Sequence, residues 1–212
     1  AFLGVDVLWL TPVFISPQKD NGYDVEDYYH VDPRFGTDED LQNLIDEARK
    51  RDMDIMLDMV FNHSSTEHEW FKKALQGNQD YLDRYYFMKD KVNWQSKFGG
   101  SAFEYVEDLD MYYLHLFDKT QADLNWENPK EFNEFVNICN YWLDKGVRGF
   151  RFDVINLISK PKVFEDDLQG DGRIKYTDGP KVSEYIRKLG AESFANYDDA
   201  YPSMQFGCGI CI

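Results

Sequence analysis

Two stretches of the chain are almost continuously apolar: Val5-Asp-Val-Leu-Trp-Leu-Thr11, stopped by Pro12, and Asp54-Ile-Met-Leu-Asp-Met-Val-Phe61. That is the pattern of strands buried on both faces, as in a covered parallel sheet. A third run, Val147-Arg-Gly-Phe-Arg-Phe-Asp-Val154, alternates instead. At period 2, Val147, Gly149, Arg151 and Asp153 share one face, while Phe150, Phe152 and Val154 take the other. Between these runs the apolar positions fall at helical spacing. Thr37-Asp-Glu-Asp40 is a capping-box-like start with acids on the first turn. Leu41, Leu44, Ile45 and Ala48 follow at i, i+3, i+4 and i+7, which predicts a helix to Arg51. Asn128-Pro129 opens a second helix, with Phe132, Phe135, Val136, Cys139, Trp142 and Leu143 as its inner stripe and Gly146 as its stop. Asp178-Gly-Pro180 opens a third, with Val182, Tyr185, Ile186 and Leu189 facing inward.

Strand alternating with helix predicts a parallel α/β sheet. Polar residues collect where the strands end: Thr11; then Asp58, Asn62 and His63; then Arg151 and Asp153. Side chains gathered at the carboxyl ends of successive strands fit a (β/α)8 TIM barrel, with a doubly wound sheet as the rival. The stretch between His63 and Pro129 is too long for an ordinary connection and rich in aromatic residues, so it reads as a small subdomain inserted after the second visible strand. The expected organisation is a barrel segment over 1–63, the insertion over 64–128, a barrel segment carrying Arg151 and Asp153 over 129–199, and an aberrant tail over 200–212. Three or four strands cannot close a barrel that takes about 250 residues, so the fold class is a partial (β/α)8 barrel and the chain reads as a fragment.

Composition narrows the function. The 212 residues carry a formal net charge of −16, which argues against nucleic acid or a membrane surface as partner. No apolar run is long enough to span a bilayer. Cys139, Cys208 and Cys211 form no disulfide framework, so the cytoplasm is the expected compartment. Cys208-Gly-Ile-Cys211 has the spacing of a redox or zinc half-site but no second pair. Asp167, Asp171 and Asp178 invite a calcium reading, yet their spacing does not match an EF-hand loop. No metal or cofactor is assigned.

The alternating run holds the sharpest chemistry. A guanidinium beside a carboxylate at a strand mouth would keep Asp153 ionised at neutral pH. An anionic carboxylate in a pocket is what attack on a sugar's anomeric carbon needs. A structural ion pair at a strand end is the plain alternative, and this segment does not decide between them.

Four motifs in order do. Asp58-Met-Val-Phe-Asn62-His63 and Gly149-Phe-Arg151-Phe-Asp153 resemble two signature regions of the α-amylase superfamily of retaining glycoside hydrolases. Gln121-Ala-Asp123-Leu-Asn125 resembles its extra signature in the inserted subdomain, and Asn21-Gly-Tyr23-Asp24 its first-subsite loop. The resemblance implies a small-molecule α-glucoside as partner. It makes Asp153 the catalytic nucleophile and Arg151 its partner, Tyr23 a stacking platform for the glucosyl ring, Asp24 and His63 hydroxyl binders, and Asp58 a support. Val154 after the nucleophile resembles the oligo-1,6-glucosidase group. Asn156-Leu-Ile-Ser-Lys160 and the segment from Phe164 to Pro180 resemble that group's trehalose-6-phosphate hydrolase branch, which implies a phosphorylated disaccharide. The alternatives are isomaltose-type substrates, as for an oligo-1,6-glucosidase or dextran glucosidase, or a catalytically dead carbohydrate-binding remnant. Lys160, Arg173 and Lys175 are the basic residues nearby, and basic loop residues are usually solvated.

Retention needs a second carboxyl. The family places it as a Glu after a Gly on the next strand, where this chain has Gly207-Cys208. A thiol is a poor substitute for that acid. The resemblance ends near Ala200, so the tail is expected to reflect an altered reading frame or a truncated gene, and the fragment alone to be inactive.

Overall fold

The computed structural model describes residues 4–204. In chain order it places β1 (Val7–Leu10), β2 (Phe14–Ile15), β3 (Asp27–Val31), α1 (Asp38–Arg49), β4 (Asp54–Met59) and β5 (His63–Ser65). Then come α2 (Glu69–Leu75), α3 (Gln79–Leu82), β6 (Phe87–Met88), β7 (Phe103–Val106), β8 (Met111–Leu114) and β9 (Gln121–Asp123). The chain continues through α4 (Pro129–Asp144), β10 (Gly149–Phe152), α5 (Arg173–Tyr176), α6 (Val182–Glu192) and β11 (Tyr201–Met204). The principal sheet is β1-β4-β10-β11, every neighbour parallel, which is the arc of a (β/α)8 barrel. Residues 201–204, expected in the aberrant tail, instead pair with β10 as the fourth strand. Cys208 and Cys211 lie outside the described residues.

The helices form for the reasons visible in the sequence. Thr37 Oγ1 accepts from the Asp40 amide at 3.1 Å, and Asp40 Oδ2 accepts from the Thr37 amide at 2.8 Å, closing a reciprocal cap on α1. Leu41, Ile45 and Ala48 of α1 are buried against the sheet. Asn128 caps α4, whose Phe135 stacks on Phe61 with ring centroids 4.6 Å apart. Ile55, Leu57, Phe150 and Phe152 face these helices and are buried. Arg151 and Asp58 occupy the opposite, inner face at paired register positions.

β3 was not legible as a strand, because Asp27-Tyr-Tyr-His-Val31 mixes charge with aromatics. Its order comes from across the fold. The buried Tyr28 hydroxyl donates to the backbone oxygens of Val60 at 2.8 Å and His63 at 3.0 Å, and the Trp142 indole donates to Tyr28 O at 2.8 Å.

The stretch between β5 and β9 begins and ends at one place, because these strands pair antiparallel, His63 opposite Asp123. Within it β6-β8-β7 form a small antiparallel sheet. Phe71, Tyr85 and Tyr113 join the main core, while Trp94, Phe103 and Leu116 form a second cluster with Val154, Leu157 and Tyr176 from beyond β10. The loop over 165–172 is zipped onto this second cluster. Asn93 N donates to Asp166 Oδ1 at 2.8 Å, Gln95 N to Asp171 O at 2.8 Å and Trp94 Nε1 to Glu165 O at 2.9 Å. Gly172, at φ +83°, lies so close that a Cβ there would stand 2.3 Å from the Trp94 ring.

Candidate active site

β10 delivers Arg151 and Asp153 to one strand mouth by period-2 alternation, and a backbone turn then fixes them there. Asp153 N donates to Met59 O at 2.9 Å, adding one rung to the ladder past the end of β10. Val154 follows at φ +40°, a left-handed conformation costly for a β-branched residue, and swings the chain away. Arg151 Nη1 donates to both oxygens of Asp58 at 2.7 Å, and its Nη2 lies 2.8 Å from Asp153 Oδ1. One guanidinium therefore holds two carboxylates from adjacent strands. Burial pushes Asp153 up to about 6; Arg151 opposes the rise, and the charges of Asp58 and Asp20 add to it. At about 6 the carboxyl is largely ionised at pH 7, but with less margin than its cationic neighbour alone suggests.

Tyr23 closes this cluster from the loop between β2 and β3. Its hydroxyl accepts from Arg151 Nη1 at 3.2 Å and donates to Asp58 Oδ2 at 3.3 Å. The guanidinium of Arg151 also lies over the Tyr23 and Trp9 rings, 5.7 and 5.3 Å from their centroids. Burial and the Asp58 charge push the phenol up to about 12, so it stays a neutral donor. His63 sits one step away, its Nε2 3.2 Å from Tyr23 O and its Nδ1 3.1 Å from the Asn62 amide nitrogen. Its ring lies 5.1 Å from that of Phe117, and burial pulls it down to about 4.

Tyr23, Asp58, Arg151 and Asp153 form one bonded set, with His63 attached through the backbone of Tyr23. Asp24 lies elsewhere. It is fully buried, and its carboxylate accepts from Ser16 Oγ at 3.0 Å, Lys19 N at 2.9 Å and Asp20 N at 3.0 Å. In this position it shapes the loop that presents Asp20 and Tyr23. Lys160 is corrected more sharply. Far from being solvated or available to a phosphate, it is fully buried, 2.7 Å from Asp123 Oδ2 and 2.8 Å from Asn62 Oδ1. Arg173 and Lys175 are exposed, Arg173 pairing with Asp171 at 3.1 Å.

Sequence reasoning missed Asp20 and gave Gln121 no role. Gln121 Nε2 donates to Asp20 Oδ2 at 2.8 Å, which places this carboxylate beside His63 and within electrostatic reach of Asp153. The turn residues Asn21 and Gly22, both at positive φ, make Asp20 look like ordinary turn chemistry. Phe117 and the exposed Phe98, ring centroids 5.6 Å apart, extend an aromatic edge from His63. Such a cluster offers an anionic carboxylate, aromatic faces, and neutral donors with acceptors for hydroxyl groups. That suits attack on the electrophilic carbon of a polyhydroxylated ring. Among the described residues no group of three or more His, Cys, Asp or Glu is arranged to hold a metal ion.

The model of the α-amylase catalytic domain matches residues 1–204. The chain is 50% identical over 203 residues to the trehalose-6-phosphate hydrolase of Bacillus subtilis, covering 92% of this chain and 36% of that protein. It is 44% identical over 208 residues to the oligo-1,6-glucosidase of Parageobacillus thermoglucosidasius, covering 92% and 37%. The crystal structure of Bacillus licheniformis trehalose-6-phosphate hydrolase superimposes with a TM-score of 0.94 at 46% identity, over 97% of this chain and 38% of that one. The chain thus spans a little over a third of the length of the proteins it matches.

Proposed function

The chain belongs to the α-amylase catalytic-domain family, and from that premise we propose that it carries the nucleophile side of a retaining α-glucosidase acting on trehalose 6-phosphate in the cytoplasm. The observation that carries the reading is Arg151 bridging Asp58 and Asp153 at 2.7 and 2.8 Å, with the Tyr23 hydroxyl on the same guanidinium. Asp153 attacks the anomeric carbon, its Oδ–C1 bond forming as the bond to the leaving oxygen breaks. Arg151 and Asp58 keep the attacking carboxylate oriented, Tyr23 packs on the ring, and His63 and Asp20 bind hydroxyls. The leaving glucose 6-phosphate takes its proton from a second carboxyl, about 5–5.5 Å from the nucleophile in retaining enzymes. That acid is assigned to the barrel outside residues 4–204, since Asp58 is held by Arg151 and Asp20 by Gln121. Water then cleaves the glucosyl ester.

Support for the phosphorylated substrate comes from the higher identity to trehalose-6-phosphate hydrolase, 50% against 44% for an oligo-1,6-glucosidase. Glucose release by the complete protein from trehalose 6-phosphate and from isomaltose tests the reading. A kcat/KM at least about tenfold higher on the phosphorylated substrate is expected, a difference of ~1.4 kcal/mol in transition-state binding. A preference for isomaltose makes it an oligo-1,6-glucosidase. Binding of glucose without cleavage of either makes it a carbohydrate-binding remnant.

A further inference from the structure

We propose that Lys160, together with Asp123, is a positioning residue that sets the tautomer of His63 through the side-chain amide of Asn62, keeping the ring proton on Nε2. The inference takes from the proposed function only that His63 belongs to the site; the tautomer follows from geometry.

Lys160 and Asp123 are both fully buried, their charged atoms 2.7 Å apart. A buried ion pair is tolerated when its remaining hydrogen-bonding capacity is met. Here it is met by the backbone and by Asn62. Asp123 Oδ1 accepts from Leu116 N at 2.8 Å, and Lys160 Nζ donates to Leu157 O at 2.5 Å. Lys160 Nζ also donates to Asn62 Oδ1 at 2.8 Å, while Asn62 Nδ2 donates to Asp123 Oδ2 at 3.1 Å. The amide cannot be turned over. A flipped Asn62 would set its NH2 against the ammonium and its oxygen against the carboxylate, a buried mismatch at both ends. Two opposite charges thus give one neutral amide a fixed sense.

That sense passes to the histidine. Asn62 Nδ2 lies 3.1 Å from His63 Nδ1 and has only hydrogen to offer, so Nδ1 must accept and the ring proton belongs on Nε2. Nε2 is 3.2 Å from the backbone oxygen of Tyr23, which can only accept. The other tautomer would oppose two N–H groups at Nδ1 and two lone pairs at Tyr23. Its one gain would be a bond from Gln121 Nε2, 3.2 Å away and already donating to Asp20. Burial pulls the ring down to about 4, with Asp123 opposing and Lys160 reinforcing, so the imidazolium does not compete at neutral pH. His63 is therefore held as a neutral Nε2–H donor. In the selected tautomer the His63 and Gln121 N–H groups face each other, and an oxygen that accepts from both relieves their opposition.

The four histidines make the test direct. Long-range proton–nitrogen NMR of the full chain labelled with 15N-histidine, with His63 assigned from His63→Gln, reads the tautomer without substrate. The expected wild-type spectrum is Nε2–H and uncharged at neutral pH. Asn62→Asp paired with Asp123→Asn keeps a single carboxylate beside Lys160 and leaves only an acceptor opposite Nδ1, so the ring should switch to Nδ1–H and its titration should move upward. Lys160→Met paired with Asp123→Asn removes both charges and should yield a mixture of tautomers. An Nδ1–H wild-type ring overturns the proposal, whatever the fate of the variants. So does a ring that stays Nε2–H in the Asn62→Asp/Asp123→Asn pair, or in a charge-free pair with native circular dichroism. Substrate preference enters none of these outcomes, so the proposed function can fail while the tautomer assignment stands.

Discussion

Asp153 sits in a place that resists its charge. Burial, with Asp58 and Asp20 adding to it, holds the carboxyl up at about 6, against 3.8 for the free side chain. Between those values the folded state binds the proton that the unfolded state has released, so its contribution to stability falls as pH rises from about 4 to about 6. Asp153→Asn is neutral at every pH and escapes this loss. It should melt higher than the parent at pH 7, by about 1–3 kcal/mol, with the gain disappearing below about pH 4. Urea titrations of both proteins at the two pH values read the difference, and a less stable Asn variant at pH 7 would contradict it. In the complete protein the same substitution should reduce turnover by a factor on the order of 10⁴ or more, and the parent's kcat/KM should fall on the acid side near pH 6. The Arg151–Asp153 pair was legible because period-2 alternation puts Arg151 on β10 and Asp153 just past its end on the same face. Lys160 and Asp20 were not. Lys160 is neutralised by Asp123, and Asp20 is held by Gln121, each partner lying in a distant β9. No local pattern distinguishes such residues from solvated ones.

At the scale of elements, what could be read was what the chain settles locally. The reciprocal Thr37–Asp40 cap, Pro129 at the start of α4 and the apolar stripes of both helices follow from neighbours in sequence. β5 and β9 pair with each other across the whole insertion, and β3, though it pairs with neighbouring β2, is ordered by Val60, His63 and Trp142; polar sequences hid all three. The loop over 165–172 is similar: an acidic surface loop by composition, it is bound to Asn93–Gln95. Gly172→Ala places a Cβ 2.3 Å from the Trp94 ring at φ +83°, whereas Gly99→Ala, at φ +94°, meets nothing within 4 Å. Gly99→Ala should therefore cost about 1 kcal/mol from backbone strain alone. Gly172→Ala should cost about 1–3 kcal/mol more. Hydrogen exchange should rise in both 93–95 and 165–172 only in the Gly172 variant; equal effects would mean that the Trp94 contact does not hold the loop.

For the molecule as a whole, a parallel sheet was implied by strand alternating with helix, but the order β1-β4-β10-β11, with β11 drawn from the stretch read as an aberrant tail, was not. Nor was the way the inserted stretch is tied down. The tie is ionic as well as apolar, since Asp123 on β9 meets Lys160 from beyond β10 with no solvent access to either. Lys160→Met strands a buried carboxylate and should cost about 3–5 kcal/mol. Adding Asp123→Asn should recover a large part of that loss. Denaturant midpoints of the two variants give the coupling directly, and additive losses would show the two charges to be independent.

β5 and β9 lie side by side, and Thr66 N reaches Thr120 O at 2.8 Å, so the long excursion between them leaves the barrel and returns at one doorway. A segment whose ends already touch can be exchanged as a cassette. Doubling its length adds only about 0.6 kcal/mol of closure entropy. An insertion that keeps the core contacts of Phe71, Tyr85 and Tyr113 and the ties to 165–172 can therefore be recast while the guanidinium and its two carboxylates keep their spacing. Under the proposed function, substrate range and bond-breaking chemistry would then change on separate schedules.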